Sequence, residues 1–154
     1  MTEKNITTKI QVYAYNELNE ADKKLVDMAR EATKASYAPY SKYHVGAALL
    51  LDNGVIIKGA NQENAAFCGI CGERSAIYNA GANYPDVPVK KIAITAFTRG
   101  SFIEEPCAPC GVCRQAILEF EKNHHNIELL LAGNDKVYHV DSITDLLPLT
   151  FTDF

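Results

Sequence analysis

The chain has 154 residues, 47% of them apolar, and a formal charge of −4 from 15 basic and 19 acidic side chains. Its length fits a single domain, residues 1–154, with enough apolar content for a real core. The acidic balance argues against a nucleic-acid partner, because phosphate backbones select for excess Lys and Arg, and no run of about 18 apolar residues offers a membrane span.

The first residues lack the long apolar stretch of a signal peptide. Residues 1–16 read as a polar lead-in with a short alternating stretch from Ile10 to Tyr15. A helix follows, with Asn19 as N-cap, Glu20 and Asp22 in its first turn, and Leu25, Met28, Ala29 and Ala32 on one face. Ala38-Pro39-Tyr40-Ser41 ends it. Two strands, 45–51 and 55–57, flank a hairpin turn at Asp52-Asn53-Gly54, and a loop covers 59–70. A second helix is predicted over 73–80, stopped by Gly81. A β-rich run covers 92–97, and a third helix runs from Cys110 to about Asn123. Strands at 129–131 and 137–140 follow, and Ser142 caps a short last helix before Pro148. Strands interleaved with helices predict a three-layer α/β/α sandwich with a mixed sheet.

All five cysteines fall between Cys68 and Cys113, in two groups. One is Cys68-x-x-Cys71, followed by Gly72, Glu73 and Arg74. The other is Cys107-x-x-Cys110-x-x-Cys113, followed by Arg114. An odd number of thiols at two-residue spacing suits an intracellular metal site better than a disulfide framework, so a cytoplasmic protein is expected. Both groups sit at or just before a predicted helix start, where partial positive charge favours thiolate. Glu73, two residues from a ligand, is placed to work on a water that a metal activates. It also has a plainer reading, as an acid in the first turn of a helix.

Three metal readings remain open on spacing alone. A catalytic zinc takes three thiolates and leaves a position for water, whereas a structural zinc takes Cys68, Cys71, Cys110 and Cys113. The second group is also part of an iron–sulfur run, although the fourth cysteine and its proline do not follow. None of His44, His124, His125 and His139 is spaced as a ligand partner of a cysteine.

Cys71-Gly72-Glu73 with Pro109-Cys110-x-x-Cys113-Arg114-Gln115 resembles the zinc signature of nucleoside deaminases in its three-cysteine form. The stretches 38–49 and 59–65 are similar to the cytidine deaminase family of small homotetrameric enzymes, and the likeness runs from about residue 21 through 147. The resemblance implies Zn2+ on Cys71, Cys110 and Cys113, with Glu73 as proton shuttle. It implies Asn61 and Glu63 on the ribose hydroxyls, Gly72 beside the base, and Tyr43 in place of a pocket Phe. It also implies Phe151 as an aromatic reaching a neighbouring subunit's site in a homotetramer. The expected reaction is hydrolytic deamination of cytidine and deoxycytidine to uridine and deoxyuridine.

The chain departs from the family pattern in its Gly72, a shorter loop before Cys71, and the extra thiols Cys68 and Cys107. Two alternatives are a deaminase of a modified pyrimidine or other amino-substituted nucleoside-like substrate, and a non-catalytic structural zinc module. The tail with Leu149, Phe151 and Phe154 is expected at a subunit interface.

Overall fold

A computed structural model of the protein describes residues 1–152; Phe154, expected in the apolar tail, lies outside them. The chain forms β1 (Gln11–Ala14), α1 (Glu20–Ala32), β2 (His44–Leu51), β3 (Ile56–Ala60), α2 (Gly72–Asn83), β4 (Val89–Thr98), β5 (Ser101–Phe102), α3 (Gly111–Glu121), β6 (Glu128–Ala132) and β7 (Lys136–Val140). One sheet has the order β1-β7-β6-β4-β2-β3, with β5 paired to β4. The β4–β6 pair is parallel and the other pairs are antiparallel. The sheet is therefore mixed, as expected.

The period-two pattern of the strands separates two cores. Ala47, Leu49 and Leu51 of β2, Ile92 and Ile94 of β4, and Leu129 and Leu131 of β6 face α2 and α3 through Ala76, Ile77, Ala80, Ile117 and Leu118. The intervening Ala48, Ala93, Leu130 and Ala132 face α1 through Leu25, Val26 and Ala29. These cores make three layers, with α1 on one side of the sheet and α2 and α3 on the other. No helix among the described residues is long and apolar enough to cross a membrane.

Several local expectations hold. Asn19 Oδ1 accepts the N–H of Asp22 at 2.9 Å and caps α1. Gly54 takes φ +84° in the β2–β3 turn, and Ser142 Oγ accepts the N–H of Thr144 at 3.1 Å.

Other boundaries differ. Residues 11–14 are a strand rather than lead-in, because β7 offers an edge with which they pair. Helix α1 ends at Ala32, and a 3-10 turn (Thr33–Ala35) follows it. The last helix is a single 3-10 turn, Ile143–Leu146. Gly81 does not stop α2. A Cβ there would meet Phe120 at 2.9 Å, so this glycine allows α2 and α3 to approach closely.

The register brings the functional segments together. Gly46 of β2 pairs with Ala60 of β3, and His44 pairs with Phe97 of β4. The start of β2 and the ends of β3 and β4 therefore lie at one margin of the sheet. The chain leaves β3 toward α2 and β4 toward α3 at that margin, so both helix N-termini and residues 36–45 meet there.

Candidate functional site

Cys71 and Cys110 occupy equivalent positions, as the extended N-cap residues of α2 and α3. Neither side chain caps its own helix, so both sulfurs are free to turn toward each other over two positively polarised helix ends. Cys113 lies one turn into α3 on the same face as Cys110.

The three Sγ atoms lie within 4.8 Å of one another. Cys71 to Cys110 is 3.9 Å and Cys110 to Cys113 is 3.3 Å. Four ligands about 2.3 Å from a tetrahedral zinc stand about 3.8 Å apart, so these thiols have the spacing of three corners of a zinc tetrahedron. Cys68 is outside the cluster, exposed, with its thiol toward Asn64 Oδ1 at 3.6 Å. The four-sulfur arrangement through Cys68 is therefore not formed.

The titration behaviour fits the same ion. Hydrogen bonding from Cys113, with Arg74 beside it, holds the Cys71 thiol down at about 5. Contact with Cys71, together with burial, pushes Cys113 upward. Sulfurs this close cannot all ionise without a cation between them, and Zn2+ is the divalent ion that takes thiolates in this geometry.

Glu73 follows Cys71 by two residues, in the first turn of α2. It is only 4% exposed, and its Oε2 is buried without a hydrogen-bond partner among the described residues. Burial pushes its carboxyl up to about 7, and the neighbouring Cys71 sulfur adds to the rise. A carboxylate used only to complement a helix dipole would sit in solvent; this one is withheld from it.

A cavity of about 470 Å³ opens beside these groups, lined by Tyr43, Asn61, Glu63, Cys71, Glu73 and Cys110, with Ser41, Val45, Cys107 and Ala108. It falls within the range of small-molecule sites, roughly 300–1,000 Å³. Six residues singled out from the sequence thus meet in one place, and Cys113 is buried in the thiol cluster.

Gly72 and Phe151 are not among the lining residues. A Cβ on Gly72 would meet the carbonyl of Val45 at 3.1 Å and its Cγ1 at 3.2 Å, so the missing methyl faces a β2 residue that itself lines the cavity. Phe151 is 65% exposed, and its carbonyl accepts from Gln115 Nε2 at 2.9 Å. Cys107, read from the sequence only as an extra sulfur, proves to be a cavity residue. It hydrogen-bonds the Tyr43 hydroxyl, and burial with this thiol alongside raises Tyr43 to about 12. Its three-residue offset from Cys110 was the available signal. The four histidines take no part in the thiol cluster.

Asn61 and Glu63 are largely committed to the protein. Asn61 Oδ1 accepts from Ser36 Oγ at 2.5 Å and from the Val45 N–H at 2.8 Å, while Nδ2 donates to the Tyr43 carbonyl at 2.9 Å. One N–H remains. Glu63 Oε2 accepts the N–H groups of Tyr40 at 2.9 Å and Ser41 at 3.2 Å, and Oε1 accepts the Ser41 hydroxyl. That hydroxyl and the two backbone donors hold its carboxyl below the ordinary value. Of about four acceptor positions on a carboxylate, one is left. The pair therefore offers one donor and one acceptor, the complement of a single hydroxyl group.

Comparison with known proteins agrees with this chemistry. The profile of the cytidine and deoxycytidylate deaminase zinc-binding region matches residues 19–128. A cytidine deaminase of Halalkalibacterium halodurans is 37% identical over 138 residues, covering 83% of this chain and 92% of that protein. One from Sporosarcina psychrophila is 42% identical over 98 residues, covering 63% and 68%. The crystal structure of a cytidine deaminase from Burkholderia pseudomallei superposes with a TM-score of 0.69 at 36% identity, covering 87% of this chain and all of that one. With the zinc-binding region matched over residues 19–128, well over half of the chain, and a relative 37% identical over 83% of it, the chain belongs to the cytidine deaminase family.

Proposed function

We propose that this protein, as a single catalytic domain, hydrolyses cytidine and 2′-deoxycytidine to uridine and 2′-deoxyuridine with release of ammonia. One observation carries the reading. A buried carboxyl oxygen with no hydrogen-bond partner among the described residues, Glu73 Oε2, stands beside a three-thiol cluster of zinc dimensions, in the cavity that also holds Asn61 and Glu63.

Cys71, Cys110 and Cys113 would hold Zn2+, which when bound would supply Lewis-acid activation of the attacking water. Glu73 moves the protons. Its Oε2 takes one from that water and gives it to the ring nitrogen next to the amine-bearing carbon, which becomes more electrophilic. The same oxygen then takes the second proton, from the hydroxyl newly bonded to that carbon, and gives it to the amine, which leaves as ammonia as its C–N bond breaks. Water and cytidine become uridine and ammonia, and Glu73 ends as it began. A carboxyl held near neutrality by burial suits traffic in both directions. The positive ends of α2 and α3, with Arg74 against Cys71 at 4.0 Å, offset the charge of three thiolates. The spare N–H of Asn61 and spare lone pair of Glu63 hold one sugar hydroxyl. A single hydroxyl contact supports acceptance of both ribose and deoxyribose.

The exposed apolar residues Val112, Leu149 and Phe151 support a homotetramer in which Phe151 completes a neighbouring subunit's cavity. Five unpaired thiols support a reducing, cytoplasmic setting, and the proposed reaction, which turns one free pyrimidine nucleoside into another, supports a role in pyrimidine salvage. Ammonia release from a panel of amino-substituted nucleosides tests the substrate. Cytidine and deoxycytidine should react, and cytosine without sugar should react far less. Turnover of another nucleoside but of neither of these would overturn the assignment.

A further inference from the structure

The Asn61 amide is held by two backbone groups in the wall of the catalytic cavity and by one side chain outside it. Its Oδ1 faces the N–H of Val45, which can only donate, and its Nδ2 faces the carbonyl of Tyr43, which can only accept. The two ends of the amide are thereby fixed. Ser36 Oγ, 2.5 Å from the same Oδ1, must give its one hydrogen to that oxygen. Ser36 Oγ is then an acceptor toward His44 Nδ1, 3.1 Å away, so Nδ1 carries the ring hydrogen.

Ser36 and His44 do not line the catalytic cavity. Both belong to a separate one of about 370 Å³, walled also by Phe97 and Phe102. Ser36 meets Asn61 from behind, and the hydrogen bonds of this pair toward the catalytic cavity run through that amide, while the His44 charge also acts on Glu63.

We propose that Ser36 and His44 are positioning residues for sugar recognition. His44 holds the Ser36 oxygen, Ser36 holds Oδ1 of Asn61, and the remaining N–H of Asn61 is thereby aimed into the catalytic cavity. This inference rests on the proposed deaminase reading. It makes the chain Ser36–His44 specific to substrates with a sugar hydroxyl, and silent toward the ring chemistry at Glu73.

The experiment compares ammonia release from cytidine and 2′,3′-dideoxycytidine, which lacks the 2′- and 3′-hydroxyls and keeps only the 5′-hydroxyl; the hydroxyl held by Asn61 and Glu63 is taken as the 3′ one, which ribose and deoxyribose share. Ser36→Ala should raise KM for cytidine by about tenfold, the weight of one buried hydrogen bond. Its kcat and its KM for dideoxycytidine should stay within about twofold of wild type, a margin well under one such bond. His44→Leu should behave in the same way. Ser36→Thr, which keeps the hydroxyl, and His44→Asn, whose amide N–H can stand in for Nδ1–H, should restore cytidine KM. The His44 pair carries the test by itself if Ser36→Ala does not fold. An unchanged KM for cytidine, or an equal loss for both nucleosides, overturns the inference alone. Absence of cytidine turnover in the wild type overturns the deaminase reading and this inference with it.

Discussion

At the scale of single residues, Glu73 joins the chemistry to the fold. Glu73→Gln keeps size and helix geometry, so zinc content and folding should be retained. Turnover should fall by at least about a hundredfold, the lower end of what a positioned acid–base contributes; wild-type turnover would return Glu73 to a helix-start charge. The same carboxyl also predicts a pH effect on stability. Its folded value of about 7 lies above the ordinary 4.5, so the folded state binds the proton more tightly than the unfolded state. After zinc removal by a chelator, stability should therefore be highest below about pH 4.5 as far as this group is concerned, and should fall as pH rises through 7, by on the order of 3 kcal/mol. Denaturant titrations across that window should show the slope in the chelated wild type and a reduced slope in Glu73→Gln. Glu73 was legible in the sequence by its distance from Cys71. Its burial, which makes it more than a helix-start acid, was not.

The secondary elements set the spacing of the thiols. Cys71 rides on α2, whereas Cys110 and Cys113 ride on α3, so zinc geometry depends on how each helix seats on the sheet. Gly59 of β3 controls one of these seats. A Cβ there would stand 2.4 Å from the Ala76 nitrogen and 2.5 Å from the Gly72 carbonyl, both backbone atoms of α2. Gly59→Ala should push α2 outward at a cost of about 2 kcal/mol. It should also weaken zinc binding, because Cys71 moves relative to the α3 pair. Thermal unfolding and a competitive zinc titration check the two effects, and unchanged zinc affinity would show that the two helices adjust independently. The sequence marked Gly59 only as the start of a loop. The close approach that requires a glycine there exists only once α2 lies across β3.

For the whole molecule, the metal and the assembly are the quantities to measure. About one zinc per chain is expected, the stoichiometry of one three-thiolate site. Cys110→Ser should lose it, while Cys68→Ser should keep it, since Cys68 stands apart from the cluster. Elemental analysis of both variants decides between this site and a four-sulfur structural one. Light scattering should give four times the chain mass of 16.9 kDa. Removing residues 151–154 should weaken both assembly and substrate binding if Phe151 serves a neighbouring site. A shorter chain that stays tetrameric and fully active would leave Phe151 as a surface residue.

The sequence by itself determined the parts whose signal is local. Three Cys-x-x-Cys spacings, a glutamate beside one of them, the Asn19 and Ser142 caps, and the apolar runs of β2, β4 and β6 each follow from a few neighbouring residues, and with them the layered fold and a thiol metal site. Tertiary structure decided what depends on distant segments. The four-sulfur alternative through Cys68 was open until folding turned that thiol toward Asn64. Cys107 became a cavity residue, and Gly72 came to lie against Val45, because β2 begins and β3 and β4 end at one margin of the sheet. The hydrogen-bond chain from His44 through Ser36 to Asn61 joins residues 8 and 25 positions apart, and no periodicity reports such a link. Its physical reason is that a side-chain amide can be oriented only by donors and acceptors that the fold brings to it from elsewhere.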